Sequence, residues 1–179
     1  MNLTRLAPTA LLAAAAVAVV GAGVTGGHDH THTAALDEDV AAVAGFTKVA
    51  FTDRWLVVVN VLPAEPMYSP DEVAHDHPTW GEMAIEGEGS PTGPGVRHVE
   101  AHVYDRTTGL PVDRPVPALE VLVHATGERL PIPAVLMQDV NIGEADLHFG
   151  DNVALPGDTD LTVTVTIADE EVSLDGHLD

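Results

Sequence analysis

Residues 161–167 read Leu-Thr-Val-Thr-Val-Thr-Ile, so that apolar side chains alternate with threonines. Successive side chains of a strand point to opposite faces, and this alternation therefore predicts a β-strand with one apolar face. Residues 96–104 alternate in a similar way. Other apolar, β-branched runs predict strands at 46–51, 55–62, 82–88, 119–125 and 130–137. Thr126-Gly127-Glu128 predicts a hairpin turn between the last two of these strands.

The spacing of these strands predicts the fold class. No stretch beyond the first 27 residues shows convincing helical periodicity. About seven short strands, separated by roughly 8–12 residues, are typical of a sandwich. We therefore predict an all-β fold, an immunoglobulin-like two-sheet antiparallel β-sandwich. The proline-rich stretch 63–78 is predicted to be irregular, and residues 138–151 are predicted to form a loop.

The chain is predicted to have four parts. Residues 1–27 combine Arg5 with an uncharged Ala/Leu/Val run and small residues, as a secretory signal peptide does. A retained N-terminal anchor is the other interpretation, and this segment is the one expected membrane contact. Residues 28–44 are predicted as a flexible His/Asp-rich linker, 45–169 as the β-sandwich domain and 170–179 as an acidic tail. The folded domain is therefore expected in the periplasm or outside the cell.

The composition excludes several kinds of chemistry. The 179 residues include 7 Lys and Arg against 28 Asp and Glu, which gives a formal net charge of −21. Such a chain lacks the basic stripe that binds phosphates, so nucleic acid is not expected as a partner. The absence of cysteine excludes disulfides, iron–sulfur clusters and thiolate zinc sites. No nucleophile–base motif or phosphate-binding loop is recognisable, and we do not expect an enzyme.

The most informative stretch for function is residues 97–104, Arg-His-Val-Glu-Ala-His-Val-Tyr. In a strand, His98, Glu100 and His102 share the face opposite the apolar residues between them, with about 6.7 Å between alternate Cα atoms. Two neighbours at this spacing can bind one metal ion. We therefore expect a site that uses His98 and Glu100, with His102 supporting it or contributing to a second site. The other interpretation is an exposed face that happens to carry these side chains.

Two more residues are candidate ligands. His148 lies in the stretch 147–152, Leu-His-Phe-Gly-Asp-Asn, which is predicted to end the loop before the last strands. Met137 ends the strand that leads into this loop. Its thioether beside imidazoles would suit copper better than calcium or magnesium. The other interpretation of Met137 is an ordinary core residue.

The order of these motifs resembles a known family, the periplasmic ferrous-iron transport or iron-uptake proteins encoded beside high-affinity iron permeases. Members show a His-Leu-Glu-Ala-Asp-like strand and a His-Tyr-Gly-Ala-Asn-like loop. Here residues 98–102 and 148–152 correspond to them, and residues 61–67 resemble the segment before the first motif. This chain differs in carrying His102 where the family has Asp, and in a longer loop before His148.

The resemblance implies a copper-binding β-sandwich, commonly a homodimer, that assists iron delivery to a membrane permease. It implies His98, Glu100 and His148 as ligands and Met137 as the thioether, with Met67 or Met83 in its place if the assignment shifts. Copper is the expected metal, and iron is the second candidate. A copper chaperone or copper-tolerance protein, and a surface β-sandwich with a structural or adhesive role, stay open as other functions.

Overall fold

Residues 45–179 are described by a computed structural model. They form two sheets of mainly antiparallel strands that pack face to face, which confirms the predicted all-β sandwich. Its immunoglobulin-like character stays a prediction. The predicted signal peptide (1–27) and linker (28–44) lie outside the described residues. No helix within 45–179 is long and apolar enough to cross a membrane.

Residues 45–179 contain eleven strands and two short helices, which turns and loops connect. The strands are β1 (Phe46–Phe51), β2 (Trp55–Pro63), β3 (Met67–Tyr68), β4 (Glu82–Glu86), β5 (Val96–Asp105), β6 (Ala118–Val123), β7 (Glu128–Ile132), β8 (Val135–Asp139), β9 (His148–Ala154), β10 (Thr159–Ile167) and β11 (Glu170–Leu178). The helices are α1 (Pro70–Asp76) and a 3₁₀ helix (Gly143–Asp146). The larger sheet has the spatial order β1-β2-β5-β9-β8-β4-β3, and the smaller sheet has the order β11-β10-β6-β7.

The main core lies between the two sheets and uses every second residue of their strands. In β2, Val57, Val59 and Val61 are fully buried, and the predicted strand β10 contributes Leu161 and its alternate neighbours in the same way. Because side chains alternate, the residues between these positions point away from the core, onto the outer face of each sheet. The larger sheet therefore has a second face whose chemistry the core does not use.

Residues 130–137 do not form the single strand that the sequence predicts. β7 ends at Ile132 in the smaller sheet, and β8 begins at Val135 in the larger one. Pro133, between them, has no N–H to donate to a ladder, so a strand does not continue through it. This crossing brings Met137 beside β9.

The segments predicted as a loop and as an acidic tail both contain strand residues. The predicted loop 138–151 contains the 3₁₀ helix, and its last residues start β9 at His148. The predicted acidic tail 170–179 is mostly β11, which pairs with β10 along its whole length. Val172, Leu174 and Leu178 pack against the core there, while Ser173, Asp175 and His177 are exposed. The acidic outer face hides this apolar alternation in the sequence.

The proline-rich stretch 63–78 contains α1, which the sequence analysis missed. Ser69 caps this helix, since its hydroxyl accepts a hydrogen bond from the Glu72 N–H at 3.3 Å, and the Glu72 carboxylate accepts one from the Ser69 N–H at 2.7 Å. Pro70 occupies the first turn, where its missing N–H costs nothing. The capping residues predict a helix start, but seven residues are too few to show apolar periodicity.

We predict that Gly150→Ala strongly destabilises the protein. Gly150 lies opposite Glu100 in the β5–β9 pair, and a Cβ there would be 2.2 Å from the Val99 carbonyl oxygen and 2.8 Å from the Glu100 Cα. Both are backbone atoms in the middle of the sheet, so relief requires the strands to separate. We expect a loss of about 2 kcal/mol or more in the free energy of unfolding, measured by denaturant titration.

Gly157→Ala is the matched control for this substitution. Its new Cβ would have no neighbour closer than 3.9 Å, and the backbone there is not left-handed. We expect its free energy of unfolding to stay within about 0.5 kcal/mol of the original protein. Equal stability of the two variants would contradict the close approach of β5 and β9.

Candidate metal centre

The outer face of the larger sheet carries a buried cluster of polar side chains. On β5, His98, Glu100 and His102 alternate with core residues, as the sequence predicts. They are 0%, 6% and 7% exposed, and His148, the first residue of neighbouring β9, is 0% exposed. These values exclude the interpretation of this stretch as a solvated surface. We call this side of the sheet the ligand face.

The connection between β2 and β5, residues 64–95, is hydrogen-bonded to β9 at two points. Asn152 of β9 donates hydrogen bonds from its side-chain amide to the carbonyl oxygens of Glu65, at 2.7 Å, and Ser90, at 2.9 Å. Ser90 in turn donates from its N–H and its hydroxyl to the Asp151 carboxylate, at 2.7 and 2.8 Å. These bonds hold two parts of the connection that are far apart in sequence beside β9.

Four side chains converge on one point of the ligand face. The Glu100 Oε2 atom lies 3.2 Å from His98 Nε2 and 3.3 Å from His148 Nε2. His148 Nε2 lies 3.5 Å from Oε2 of Glu82, at the start of β4. One ligand atom of each of the four lies within 4.8 Å of the others. Tetrahedral ligands at about 2.1 Å from an ion are about 3.4 Å apart, so these spacings fit a single metal ion. We call Glu82, His98, Glu100 and His148 the four-residue centre.

Three of these atoms are buried and have no hydrogen-bond partner: Nε2 of His98, Nε2 of His148 and Oε2 of Glu82. Buried polar atoms are normally paired, and each unpaired one costs about 1–3 kcal/mol. A cation coordinated by these three atoms would satisfy them together. The unpaired atoms are therefore the strongest indication that the cluster can hold a metal ion.

The other ring nitrogens fix the two imidazoles in the orientation that ligation requires. His148 Nδ1 donates to the Asp146 carbonyl oxygen at 2.6 Å, and His98 Nδ1 lies 3.2 Å from the side-chain oxygen of Asn152. Because the Asn152 amide nitrogen already donates to two carbonyls, its oxygen is the atom that faces His98. Both imidazoles thus carry a proton on Nδ1, which leaves the Nε2 lone pairs for a metal.

The second oxygen of Glu100 is held by neighbouring side chains. Oε1 accepts hydrogen bonds from Asn60 at 2.5 Å and from His102 Nε2 at 3.1 Å. His102 therefore supports a ligand and is not one of the four converging residues. It also forms a second group with Asp146 and His148, whose ligand atoms lie within 4.8 Å of one another. Both roles that the sequence leaves open for His102 thus have a structural counterpart.

Glu82, His148 and Glu100 of the centre have displaced pKa values. Burial raises the pKa of Glu82 to about 7, against the attraction of His148. Burial opposes a charge on His148, but its hydrogen bond with Asp146 and the charges of Glu100 and Glu82 raise its pKa to about 9. Burial disfavours the Glu100 carboxylate as well, yet the hydrogen bond from His102 and the neighbouring imidazoles of His98 and His148 hold its pKa well below the ordinary value. Without a cation, a proton on His148 balances Glu100 at neutral pH.

Met137 lies next to the centre. It is fully buried, pairs directly with His148 across β8 and β9, and packs with Ala84 and Met67. Directly paired residues share a face of the sheet, so Met137 and His148 are both on the ligand face. Met83 precedes Ala84 on β4 and therefore faces the other way from Glu82, which removes it as a substitute thioether.

The sequence analysis missed two polar residues of the site. Glu82 belongs to a strand that the sequence predicts, but nothing in a lone glutamate at a strand start indicates burial. Asp146 lies in the predicted loop, and its proximity to His148 depends on the short 3₁₀ helix between β8 and β9. The spacing Asp146-x-His148, with two ligand-type residues before a strand, is the one signal that could have identified the second of these.

Comparison with protein-family models, curated proteins and solved structures gives no match for this chain.

We predict that the metal-free protein loses stability as the pH rises from about 6 to 9. Folding raises the pKa of Glu82 from 4.5 to about 7 and that of His148 from 6.5 to about 9. The folded state thus binds more protons than the unfolded state in this range, so its stability falls with increasing pH. The His148 contribution is complete below pH 6.5 and is lost through pH 9. Melting temperatures of chelator-treated protein at pH 6 and pH 9 measure this.

Glu82→Gln removes one of the two groups and should reduce the decrease in melting temperature. His124→Gln, at an exposed position beyond β6, is the control and should keep the full decrease. A melting temperature of the original protein that rises from pH 6 to 9 would contradict the assigned protonation states.

Proposed function

We propose that the protein is an exported metal-binding protein that takes up copper or iron and assists iron uptake by a membrane permease. The observation that carries the metal-binding part is the convergence of His98 Nε2, His148 Nε2 and Glu82 Oε2, all buried and unpaired, around Glu100. A structural or adhesive β-sandwich gains nothing from such an arrangement. Removal of the unpaired atoms would stabilise a purely structural protein.

The donor set favours divalent first-row transition metals. Imidazole suits iron, nickel, copper and zinc, while carboxylates extend the range toward manganese. For a given nitrogen and oxygen site, affinity among these ions is highest for Cu²⁺. Copper is therefore the ion that we expect to bind most tightly in vitro. In an iron-uptake pathway Fe²⁺ is the ion that is supplied, and it would then be the ion that the protein carries.

The iron-uptake part of the proposal is supported by the resemblance of residues 98–102 and 148–152 to the family motifs. His98, Glu100 and His148 meet in the structure, as the resemblance implies for ligands of one site. We further propose that residues 1–27 direct export, that the protein acts as a homodimer in the periplasm or outside the cell, and that it has no catalysis of its own.

A copper chaperone or copper-tolerance protein is the second candidate function. The observation that favours it is Met137, whose side chain is fully buried on the ligand face directly opposite His148. A thioether ligand would make the site softer and more suited to Cu⁺. The two functions share one site, so they differ in the metal that is delivered and in the partner that receives it.

We predict that the exported part, residues 28–179, binds one Cu²⁺ ion at the four-residue centre, and that affinity falls on acidification. Below pH 9 the ion must displace a proton from His148, and below pH 7 also one from Glu82. Displacement of one proton lowers the apparent affinity about tenfold for each pH unit of acidification. We therefore expect the Cu²⁺ affinity to fall by about a hundredfold or more between pH 7.5 and pH 5.5. Isothermal titration calorimetry measures the affinity and the protons released.

His98→Gln should lower the Cu²⁺ affinity by about a hundredfold or more, whereas His124→Gln should leave it unchanged. In a parallel titration with Cu⁺, Met137→Leu keeps the side-chain volume and removes the thioether. A lower affinity for Cu⁺ together with an unchanged affinity for Zn²⁺ would identify Met137 as a ligand. Equal Cu²⁺ affinity of the His98→Gln and His124→Gln variants would overturn the site.

We predict that deletion of the gene from its host lowers the uptake of radioactive iron under iron limitation. The original gene and the His124→Gln variant should restore uptake, and the His98→Gln variant should not. If the deletion leaves iron uptake unchanged and lowers copper tolerance, the function is copper handling and not iron uptake.

A further inference from the structure

We propose that His102, Asp146 and His148 form an outer cation position, through which a divalent transition-metal ion enters the four-residue centre. This inference rests on the proposed metal-binding function and concerns the route that the ion takes. We call these three residues the outer position. One ligand atom of each lies within 4.8 Å of the other two. The Asp146 carboxylate and the His102 imidazole are the donors of this position, because His148 Nδ1 donates to the Asp146 carbonyl oxygen and its Nε2 faces the centre.

Asp146 is the most exposed residue of the two groups. Its side chain is 23% exposed, compared with 9% for His102, 7% for Glu100, 6% for Glu82 and 0% for His98 and His148. We therefore take Asp146 as the first donor for an ion from solution. Its carboxylate is held in place by a hydrogen bond from the Asp139 N–H at 3.1 Å and lies 3.5 Å from His148 Nδ1.

His102 provides the second observation that points to a ligand at this position. Its Nε2 donates to Glu100, so its Nδ1 carries a lone pair, and this Nδ1 is buried and has no hydrogen-bond partner. The ring lies beside His148, with ring centroids 4.8 Å apart. A buried imidazole with an unused lone pair next to a partly exposed carboxylate is a chemically competent pair of donors for a transition metal.

His148 links the two positions. Its Nδ1 faces Asp146, and its Nε2 faces Glu100 and Glu82, so the same ring separates the outer position from the centre. The four-residue centre offers two carboxylates and two imidazoles, while the outer position offers the Asp146 carboxylate and the His102 imidazole beside the His148 ring that belongs to the centre. The ion is therefore held more tightly inside, and the outer position is occupied in transit.

Stopped-flow measurement of Cu²⁺ uptake, followed by quenching of tryptophan fluorescence in residues 28–179, tests this route. Asp146→Asn and His102→Gln should each lower the association rate constant about tenfold, because the ion loses its first anionic and imidazole donors. The equilibrium affinity should change as well, because His102 holds Glu100 and Asp146 lies beside His148, so the association rate constant is the readout that tests the route.

Asp158→Asn is the matched control for the loss of one negative charge, because Asp158 is almost fully exposed and precedes β10 in the smaller sheet. His124→Gln is the control for the loss of a histidine. Association rates of Asp146→Asn and His102→Gln within about twofold of these controls would overturn the entry route. So would a lower affinity that arises from faster dissociation alone, because that result describes a supporting role.

His98→Gln separates failure of this inference from failure of the proposed function. If His98→Gln binds Cu²⁺ as tightly as the original protein, the centre is not the binding site, and both proposals fall. If His98→Gln binds weakly and Asp146→Asn loads at the control rate, the centre stands and only the outer position falls.

Discussion

The ligand face depends on the burial of the Glu100 carboxylate. A carboxylate that is 6% exposed needs compensation, because an uncompensated buried charge costs several kcal/mol. Asn60 and His102 provide hydrogen bonds to one of its oxygens, and the other oxygen faces the Nε2 atoms of His98 and His148. Either a proton on an imidazole or a bound cation completes the compensation. The four contacts that stabilise the buried Glu100 carboxylate also hold it in a group of side chains that could bind a metal ion.

A single strand serves the core and the centre at once. On β5, Val99, Ala101 and Val103 fill the space between the sheets, and the alternating polar residues point to the ligand face. Any shift of β5 by one residue would bury the histidines in the core and expose the valines. The hydrophobic effect thus fixes the register of β5, and the register fixes the spacing of His98 and Glu100. Ligands placed on strands in this way need little reorganisation when an ion binds.

Sequence periodicity could predict one half of the centre, and tertiary contacts provide the other half. The alternation around His98 and Glu100 is visible in residues 96–104 because the apolar partners are continuous. His148 is a candidate because of its motif, and Gly150 permits the close approach of β5 and β9 that the structure has, whereas Asp151 and Asn152 favour a turn and instead belong to β9. Glu82 reaches the centre because β8 lies beside β9 in the larger sheet and β4 lies beside β8. Local periodicity does not encode this order of the strands.

The fold shows the same division between local and non-local information. Strands with a clear apolar alternation, such as β10, could be predicted from the sequence. β11 could not, because its acidic residues make the alternation of Val172 and Leu174 hard to recognise. The break between β7 and β8 follows from Pro133, but the move from one sheet to the other does not. That move brings Met137 beside His148, and no local pattern in residues 130–137 indicates it.

The charge of the centre, rather than the charge of the whole chain, determines which ions it accepts. The formal net charge of −21 is screened beyond about 8 Å at physiological salt and attracts all cations alike. Two carboxylates and two neutral imidazoles in the centre carry a charge of −2, which a divalent ion neutralises. A trivalent ion would leave one positive charge in a buried position, and a monovalent ion would leave one negative charge. Burial therefore favours Fe²⁺ over Fe³⁺ and Cu²⁺ over Cu⁺, unless the protonation of Glu82 or a thioether from Met137 shifts the balance toward the monovalent ion.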